Sequence, residues 1–296
     1  MNNKSLLLNT PDGFVLSATV YAPEQSKGPV ILLNPANAVK ENYYADFANY
    51  LAKLGYWVYT YAYRGFGKGK PAKMRGFQAS MRDWIFQDYA TVLGYIAKNH
   101  PESRKIVVGH SFGGQIIPLL PESETIDLGI MVAAQTGAWR AWEGKGRRMM
   151  WTLAHVLLPT TTAVWGYVPA RWGLGEDLPK GVAQEWAQWI KSPNYYFDFL
   201  PEARTRCENF RMPVLAWSFA DDDYAPLAPV KAYLNHFRQA PIEHRHLHPA
   251  DIAEKKIGHF GFFRKNHQDK LWKESVEWIS KQLAQTNPPS AYSSLI

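Results

Sequence analysis

Cysteine is almost absent from this sequence. Its 296 residues include one cysteine, Cys207, which excludes an intramolecular disulfide. A chain without disulfides depends on its hydrophobic core, and this one is long enough to bury a large core. Hydrophobic residues make up 46% and charged residues 20% of the chain, as in ordinary globular proteins. We therefore expect a folded protein in a reducing compartment, and we predict a cytoplasmic location.

Long hydrophobic runs are also missing. The longest apolar stretch, residues 153–168, contains a histidine, a proline and three threonines, so it is too short and too polar to span a bilayer. The N-terminal segment has an apolar run of only three residues, Leu6–Leu8, which is shorter than the core of a signal peptide. The sequence therefore predicts no stable membrane insertion.

Basic residues are in excess, but they do not form a continuous basic and aromatic platform. The net charge is +7, which favours acidic partners in general. Because the charges are scattered, we expect no nucleic-acid partner and predict a small-molecule substrate. His244, His246 and His248 alternate along a predicted strand, yet no cysteine or acid lies near them at ligand spacing. We expect neither a metal nor a cofactor.

Strand and helix patterns alternate along most of the chain. Short apolar, β-branched segments predict strands over residues 14–21, 30–33, 57–61, 106–108, 129–134, 213–217 and 243–247. Helical spacing of apolar residues predicts helices over residues 43–54, 84–98, 112–120, 229–237 and 269–284. This alternation predicts an α/β fold with a mostly parallel, doubly wound sheet.

The alternation is interrupted by a long segment rich in tryptophan. Residues 137–202 hold seven of the twelve tryptophans and separate two strands of the predicted sheet. We predict a helical cap, or lid, here and a core formed by residues 1–136 and 203–296. Ligands bind where parallel strands end, so we expect Trp139, Trp142 and Trp165 to contact substrate. In the alternative, these tryptophans form only the small core of the insertion.

A Gly-x-Ser-x-Gly motif surrounds Ser111. It spans Gly109–Gly113, with an apolar strand before it and a helix pattern after it. In this context the serine occupies a sharp strand-to-helix turn that exposes its hydroxyl, and the flanking glycines leave room for the backbone. The motif therefore predicts Ser111 as a nucleophile and the Phe112 N–H as one oxyanion donor. The loop after the strand predicted over residues 30–33 supplies the second donor, for which we favour Ala36.

An acid and a base follow in the order that such a serine requires. Three adjacent acids end the strand that begins at Pro213, and because they repel one another, at most one should face inward. We favour Asp222 as the acid that orients the base, with Asp221 second. His259 lies in a glycine-flanked loop after the last strand and is the preferred base, with His248 as the alternative.

These motifs together resemble a known family. The segments Asn34–Ala36, Tyr63–Gly67, Gly109–Gly114 and Ile257–Arg264 are similar to those of the α/β-hydrolase superfamily, in particular predicted hydrolases of the serine aminopeptidase S33 or monoglyceride-lipase-like type. The resemblance implies an α/β-hydrolase fold with an inserted cap. It also implies a triad acid at Asp222, counted from the start of its strand.

The function expected from the residues and the resemblance is that of a serine hydrolase. A Ser-His-Asp triad would cleave a carboxylic ester through an acyl-enzyme, and the aromatic insertion suggests an apolar acyl or aryl substrate. An S33-type aminopeptidase or amidase is the alternative, and it would need an acidic anchor for the substrate amine. Candidate anchors are Glu143, Glu176, Asp177 and Glu185. A non-catalytic binding protein with this fold is the third hypothesis.

Overall fold

An eight-stranded sheet forms the centre of the protein. The computed structural model describes residues 2–26, 28–172 and 175–285. The strands of the sheet occur in the spatial order β1-β2-β4-β3-β5-β6-β9-β10. Their bounds are β1 Asn2–Asn9, β2 Val15–Ala22, β3 Val30–Asn34, β4 Trp57–Tyr61, β5 Lys105–His110, β6 Leu128–Val132, β9 Val214–Phe219 and β10 Ile242–Leu247. Two short strands, β7 Tyr167–Val168 and β8 Leu178–Pro179, form a separate ladder.

Helices connect the strands and cover the sheet. The α-helices are α1 Ala45–Lys53, α2 Met81–Asp83, α3 Ala90–Asn99, α4 Phe112–Gln115, α5 Gly144–Thr152, α6 Leu158–Trp165, α7 Lys180–Lys191, α8 Ala203–Asn209, α9 Leu227–Leu234, α10 Gly258–Gly261 and α11 Lys273–Gln285. Turns of π-helix at Trp84–Tyr89, Leu153–Leu157 and Gln268–Trp272 lead into α3, α6 and α11. The architecture confirms the predicted α/β class.

The sheet is parallel from β4 to β10 and antiparallel only at its β1-β2-β4 edge. All residues of β3, β5 and β6 are buried, which explains their continuous apolar sequences, because helices cover both faces of a parallel sheet. The register pairs Asn34 at the end of β3 with Gly109 in β5. The loop after β3 therefore lies directly beside the turn that carries Ser111.

The tryptophan-rich segment connects two strands that are neighbours in the sheet. β6 pairs in parallel with β9, and α5, α6, α7 and α8 lie between them in the chain. The segment is fastened to the rest of the molecule by an ion pair between Arg82 and Glu185 and by a hydrogen bond from Arg82 to the Phe199 carbonyl. The chain between β6 and β9, which includes residues 137–202, thus connects two adjacent strands of one sheet.

Two elements differ from the sequence prediction. The helix predicted over residues 112–120 is a single α-helical turn, Phe112–Gln115. Pro118 follows closely, and since proline has no N–H and disfavours a helical residue before it, the helix cannot continue. The strand β1 was not predicted. It is an edge strand, and most of its side chains are exposed, so it has no apolar alternation to reveal it.

Candidate active site

Ser111 occupies a strained turn between β5 and α4. Its backbone angles are φ 52° and ψ −116°, which a residue with a side chain seldom adopts and which costs energy unless the surroundings impose it. The Ser111 N–H donates to the Val132 carbonyl of the neighbouring strand at 2.8 Å. Packing therefore maintains an unfavourable backbone conformation at the residue predicted to be the nucleophile.

The two glycines of the motif are required by close backbone packing. A Cβ atom on Gly109 would lie 2.3 Å from the carbonyl oxygen of Gly113, and one on Gly113 would lie 2.3 Å from that of Asn34. Both distances are far below van der Waals contact, and the obstructing atoms belong to the backbone. The sharp turn therefore excludes any side chain at either position.

Asn34 stabilises this turn from the end of β3. Its amide nitrogen donates to the Gly113 carbonyl at 3.2 Å, and its amide oxygen accepts from the Tyr61 hydroxyl at 3.2 Å. Both polar atoms of the buried side chain are thereby used within the protein. Asn34 therefore connects the end of β3 to the turn that carries Ser111.

His259 is oriented by Asp222. Its Nδ1 lies 2.9 Å from one carboxylate oxygen of Asp222 and 3.2 Å from the other. The carboxylate also accepts the N–H groups of Tyr224 and Ala225 at 2.8 and 2.9 Å. Because a carboxylate accepts hydrogen bonds, Nδ1 carries the proton and Nε2 is left as the basic nitrogen. This pairing is the arrangement that a general base requires.

Asp221, the alternative acid, has a different set of contacts. Its two carboxylate oxygens accept the N–H groups of Ile257 and Gly258 at 2.9 and 3.0 Å. Gly258 has a positive φ of 59°, a conformation in which glycine is favoured. Asp221 therefore fixes the backbone at the start of α10, the helical turn that carries His259, and does not itself bond to the imidazole.

A buried hydrogen-bond chain connects the three loops around Ser111. The Ala36 N–H donates to the Tyr44 hydroxyl at 2.8 Å, the Tyr44 hydroxyl lies 2.9 Å from His110 Nδ1, and His110 Nε2 lies 2.9 Å from the His259 carbonyl. Because a carbonyl only accepts, Nε2 of His110 bears the proton and Nδ1 accepts from Tyr44. Burial holds the pKa of His110 well below its usual value, so the ring is neutral.

This hydrogen-bond chain uses one of the two N–H groups predicted to form the oxyanion hole. Phe112 and Ala36 both line the cavity that contains Ser111. The single proton of the Ala36 N–H, however, is already donated to Tyr44. The sequence could not reveal this competition, because Tyr44 approaches only through the packing of the turn before α1.

The chain is similar in sequence to known hydrolases. The sequence profile of the family described as serine aminopeptidase, S33, matches residues 24–169, a range that includes the loop after β3 and the Ser111 turn. This match covers just under half of the chain. The chain is 30% identical over 100 residues to a monoacylglycerol lipase of Mycolicibacterium smegmatis. That match covers 33% of this chain and 34% of the lipase, about a third of each.

Solved structures show the α/β-hydrolase fold over nearly the whole chain. The Pyrococcus furiosus esterase Pf2001 superposes with a TM-score of 0.61 at 15% identity, covering 96% of this chain and 91% of the esterase. Est1E from Butyrivibrio proteoclasticus, with ferulic acid bound, gives 0.64 at 17% identity, covering 94% and 99%. The α/β hydrolase GrgF from Penicillium gives 0.65 at 16% identity, covering 96% and 100%.

A cavity of about 730 Å³ lies at the Ser111 turn. This volume is in the range of small-molecule sites. Ser111 and His259 both line it, and most of the remaining wall is apolar or aromatic. Met150, Leu153 and Leu157 of the insertion form part of that wall, so residues 137–202 contribute to the site as well as to their own packing.

Of the three tryptophans expected to contact substrate, one lines the cavity. Trp142 lines the cavity, whereas Trp139 and Trp165 are not among its lining residues. Arg140 and Arg147 stack on Trp139, and Trp165 packs against Trp172. Trp172 and Trp186 line the cavity instead. Sequence reasoning missed them because the inward face of each inserted segment is set by packing against its neighbours.

The acidic residues considered as amine anchors lie outside the cavity wall. Glu176 pairs with Lys40 and Lys70, Asp177 pairs with Lys70, and Glu185 pairs with Arg82. Glu143 is exposed and does not line the cavity. Among the residues that the structure describes, no aspartate or glutamate lines the cavity.

The remaining predictions concern metals and membranes. His244 Nε2 and His246 Nδ1 each lie 2.8 Å from the Ser218 hydroxyl. Within residues 2–26, 28–172 and 175–285, no three histidine, cysteine or acidic side chains are grouped as metal ligands would be. In the same ranges, none of the helices combines the length and the apolar composition needed to cross a bilayer.

Proposed function

We propose that this α/β hydrolase cleaves carboxylic esters of small molecules through Ser111, His259 and Asp222. The observation that carries the proposal is the pairing of His259 with the buried Asp222 carboxylate at the edge of the cavity that contains Ser111. The monoacylglycerol lipase and the esterases to which the chain is similar support the same chemistry.

The proposed reaction has two steps, acylation of Ser111 and hydrolysis of the acyl-enzyme. The Ser111 oxygen attacks the ester carbonyl carbon while Nε2 of His259 takes the serine proton. The bond to the alcohol oxygen breaks, His259 returns the proton to that oxygen, and the acyl group remains on Ser111. Water then attacks the acyl-enzyme with His259 again accepting a proton, which releases the acid and restores the serine. Asp222 stabilises the imidazolium in both steps.

The oxyanion of each tetrahedral intermediate needs two donors. The Phe112 N–H, one residue after the nucleophile, is the first that we propose. Ala36 is the second, and its N–H would exchange the Tyr44 hydroxyl for the substrate oxygen. Residues 137–202 act in this proposal as the cap over a core formed by residues 1–136 and 203–296, and they supply an apolar wall for an acyl or aryl group.

Ester hydrolysis is favoured over the aminopeptidase alternative by the charge of the cavity wall. An N-terminal amine is cationic at neutral pH and needs a carboxylate near the scissile bond. The described part of the cavity wall offers none, and the candidate acids Glu176, Asp177 and Glu185 are paired with basic residues. Ferulic acid, which the Est1E structure holds, illustrates that this fold can receive an aromatic acid.

The proposal is tested by active-site labelling and substrate competition. A fluorophosphonate probe should label the wild-type protein and a Ser280→Ala control, which changes an exposed serine of α11, but not Ser111→Ala. Wild type should hydrolyse p-nitrophenyl esters and not aminoacyl p-nitroanilides. Equal labelling of Ser111→Ala, or a preference for the anilides, would contradict the proposal. Failure of the wild type to react with the probe would support the non-catalytic alternative.

A further inference from the structure

The wall of the substrate cavity has a marked charge asymmetry. Within the described chain, the wall contains no carboxylate and one side chain with a permanent charge, Arg148. The rest of the wall is mainly apolar and aromatic. A cation beside an apolar wall acts in a lower effective dielectric than one in open water, so its interaction with an anion is stronger.

Arg148 lies on α5 of the insertion, and its side chain is exposed at the solvent side of the cavity. Among the residues that the structure describes, no side chain or backbone group forms an ion pair or hydrogen bond with it. Its basic neighbours differ, because Arg140 and Arg147 stack on the ring of Trp139 at 4.5 and 5.1 Å from the ring centre. Arg148 is therefore the guanidinium that faces the cavity with its donors unused.

Glu176 and Asp177, which follow Gly175 of the cavity wall, have partners of their own. Glu176 is held by Lys40 at 3.0 Å and by Lys70 at 3.3 Å, and Asp177 is held by Lys70 at 3.1 Å. Neither carboxylate is thus left to balance Arg148. The positive charge at the cavity remains for a ligand to neutralise, and a guanidinium matches a carboxylate with two parallel hydrogen bonds.

Given the proposed ester hydrolysis, on which this assignment rests, we propose that the substrate carries a carboxylate at the end remote from the scissile ester. The carbonyl of the ester lies at Ser111, the connecting apolar portion fills the cavity, and the carboxylate pairs with Arg148. One guanidinium balances one negative charge, which favours a carboxylate over a phosphate monoester with close to two charges. Half-esters of dicarboxylic acids have this chemistry.

Isosteric substrates isolate the effect of the charge. Mono-p-nitrophenyl esters of linear dicarboxylic acids are compared with the same esters ending in a carboxamide, over a series of chain lengths. We expect kcat/KM of the wild type to favour the carboxylate by about tenfold at the best chain length, since a partly solvated charge-assisted pair has that order of strength. Added salt should reduce this ratio.

Two arginine variants on the same helix identify the responsible side chain. Arg148→Gln should bring the carboxylate-to-carboxamide ratio close to one, whereas Arg147→Gln, which changes the arginine stacked on Trp139, should keep the wild-type ratio. A wild type without a preference, or an equal loss of preference in the two variants, would overturn the assignment. Faster turnover of a phosphate-tailed ester than of the carboxylate-tailed one would overturn the choice of a single charge.

The two proposals fail in distinguishable ways. If the carboxylate-tailed and carboxamide-tailed esters are hydrolysed at the same rate, the proposal of an anionic substrate is refuted. The proposal of ester hydrolysis is not affected by that result. If no ester is hydrolysed and the fluorophosphonate probe does not react, ester hydrolysis itself is refuted. Calorimetric binding of the carboxylate-tailed and carboxamide-tailed esters to Ser111→Ala then tests Arg148 without any turnover, and equal affinity for the two would overturn its role.

Discussion

Two adjacent aspartates have separate roles at the scale of single residues. Asp222 bonds the imidazole of His259, and Asp221 bonds the backbone N–H groups of Ile257 and Gly258. Adjacent carboxylates repel when they share one partner, and the turn after β9 avoids this by directing them to different groups. The sequence could limit the acid to this cluster, but only the tertiary structure shows which group each carboxylate contacts.

The two aspartates are expected to differ when each is changed to asparagine. Asp222→Asn should lower kcat about 10⁴-fold, because an amide neither fixes the tautomer of His259 nor stabilises its imidazolium. Its thermal midpoint should change little, since the amide oxygen still accepts from Tyr224 and Ala225. Asp221→Asn should lose about 1–2 kcal/mol of unfolding free energy through one lost acceptor and have the smaller loss of kcat. A larger loss of kcat in Asp221→Asn than in Asp222→Asn would indicate that Asp221 is the acid that acts on His259.

At the scale of elements, the turn between β5 and α4 is determined by backbone contact. The motif around Ser111 was visible in the sequence, and the structure explains its glycines by the 2.3 Å approach that any Cβ atom would make. The length of the following helix was overestimated, because the apolar run after Gln115 continues past Pro118. Apolar spacing alone gives no information about the missing N–H of a proline, which ends the helical hydrogen-bonding pattern.

Two glycine substitutions test this explanation of the turn. Gly109→Ala should destabilise the protein by about 3 kcal/mol or more, because the obstructing carbonyl of Gly113 cannot move without breaking the turn. Gly94→Ala is the matched control within α3, where an added Cβ meets no atom within 4 Å. It should stabilise the helix by about 0.5–1 kcal/mol. Urea unfolding measures both, and a Gly109→Ala protein as stable as wild type would contradict the explanation.

At the scale of the whole molecule, buried neutral histidine makes stability depend on pH. Burial lowers the pKa of His110 well below the usual 6.5, whereas the unfolded chain regains the usual value. Between these two pKa values the unfolded state binds a proton that the folded state does not. Stability is therefore fully present above about pH 6.5 and declines as the pH falls. His244, His246 and His267 shift in the same direction through burial.

Glutamine does not bind a proton in this pH range. The variant His110→Gln should therefore lack the contribution of His110 to the pH dependence of stability. Over the pH unit below about 6.5, the free energy of unfolding of His110→Gln should fall by about 1 kcal/mol less than that of wild type. Urea unfolding at several pH values measures the two slopes, so a lower stability of the variant at neutral pH does not affect the comparison. Parallel slopes would show that His110 is not held neutral in the folded protein.

The α/β class and the turn at Ser111 could be predicted from the amino-acid sequence alone, and the bounds of the tryptophan-rich insertion stay a prediction. These follow from local signals: apolar periodicity, glycines that leave room for backbone, and a break in the strand and helix alternation. His259 and the aspartate pair were also found from chain order, and their catalytic roles remain predictions for the labelling and kinetic experiments.

The tertiary structure decided what depends on neighbours distant in sequence. Asp221 and Asp222 contact different partners, the Ala36 N–H donates to the Tyr44 hydroxyl, and the Arg148 side chain has no partner among the described residues. The tertiary structure also selected which tryptophans line the cavity. Periodicity shows that a segment is amphipathic, but the side of the insertion that faces Ser111 is fixed only when its helices pack on the sheet.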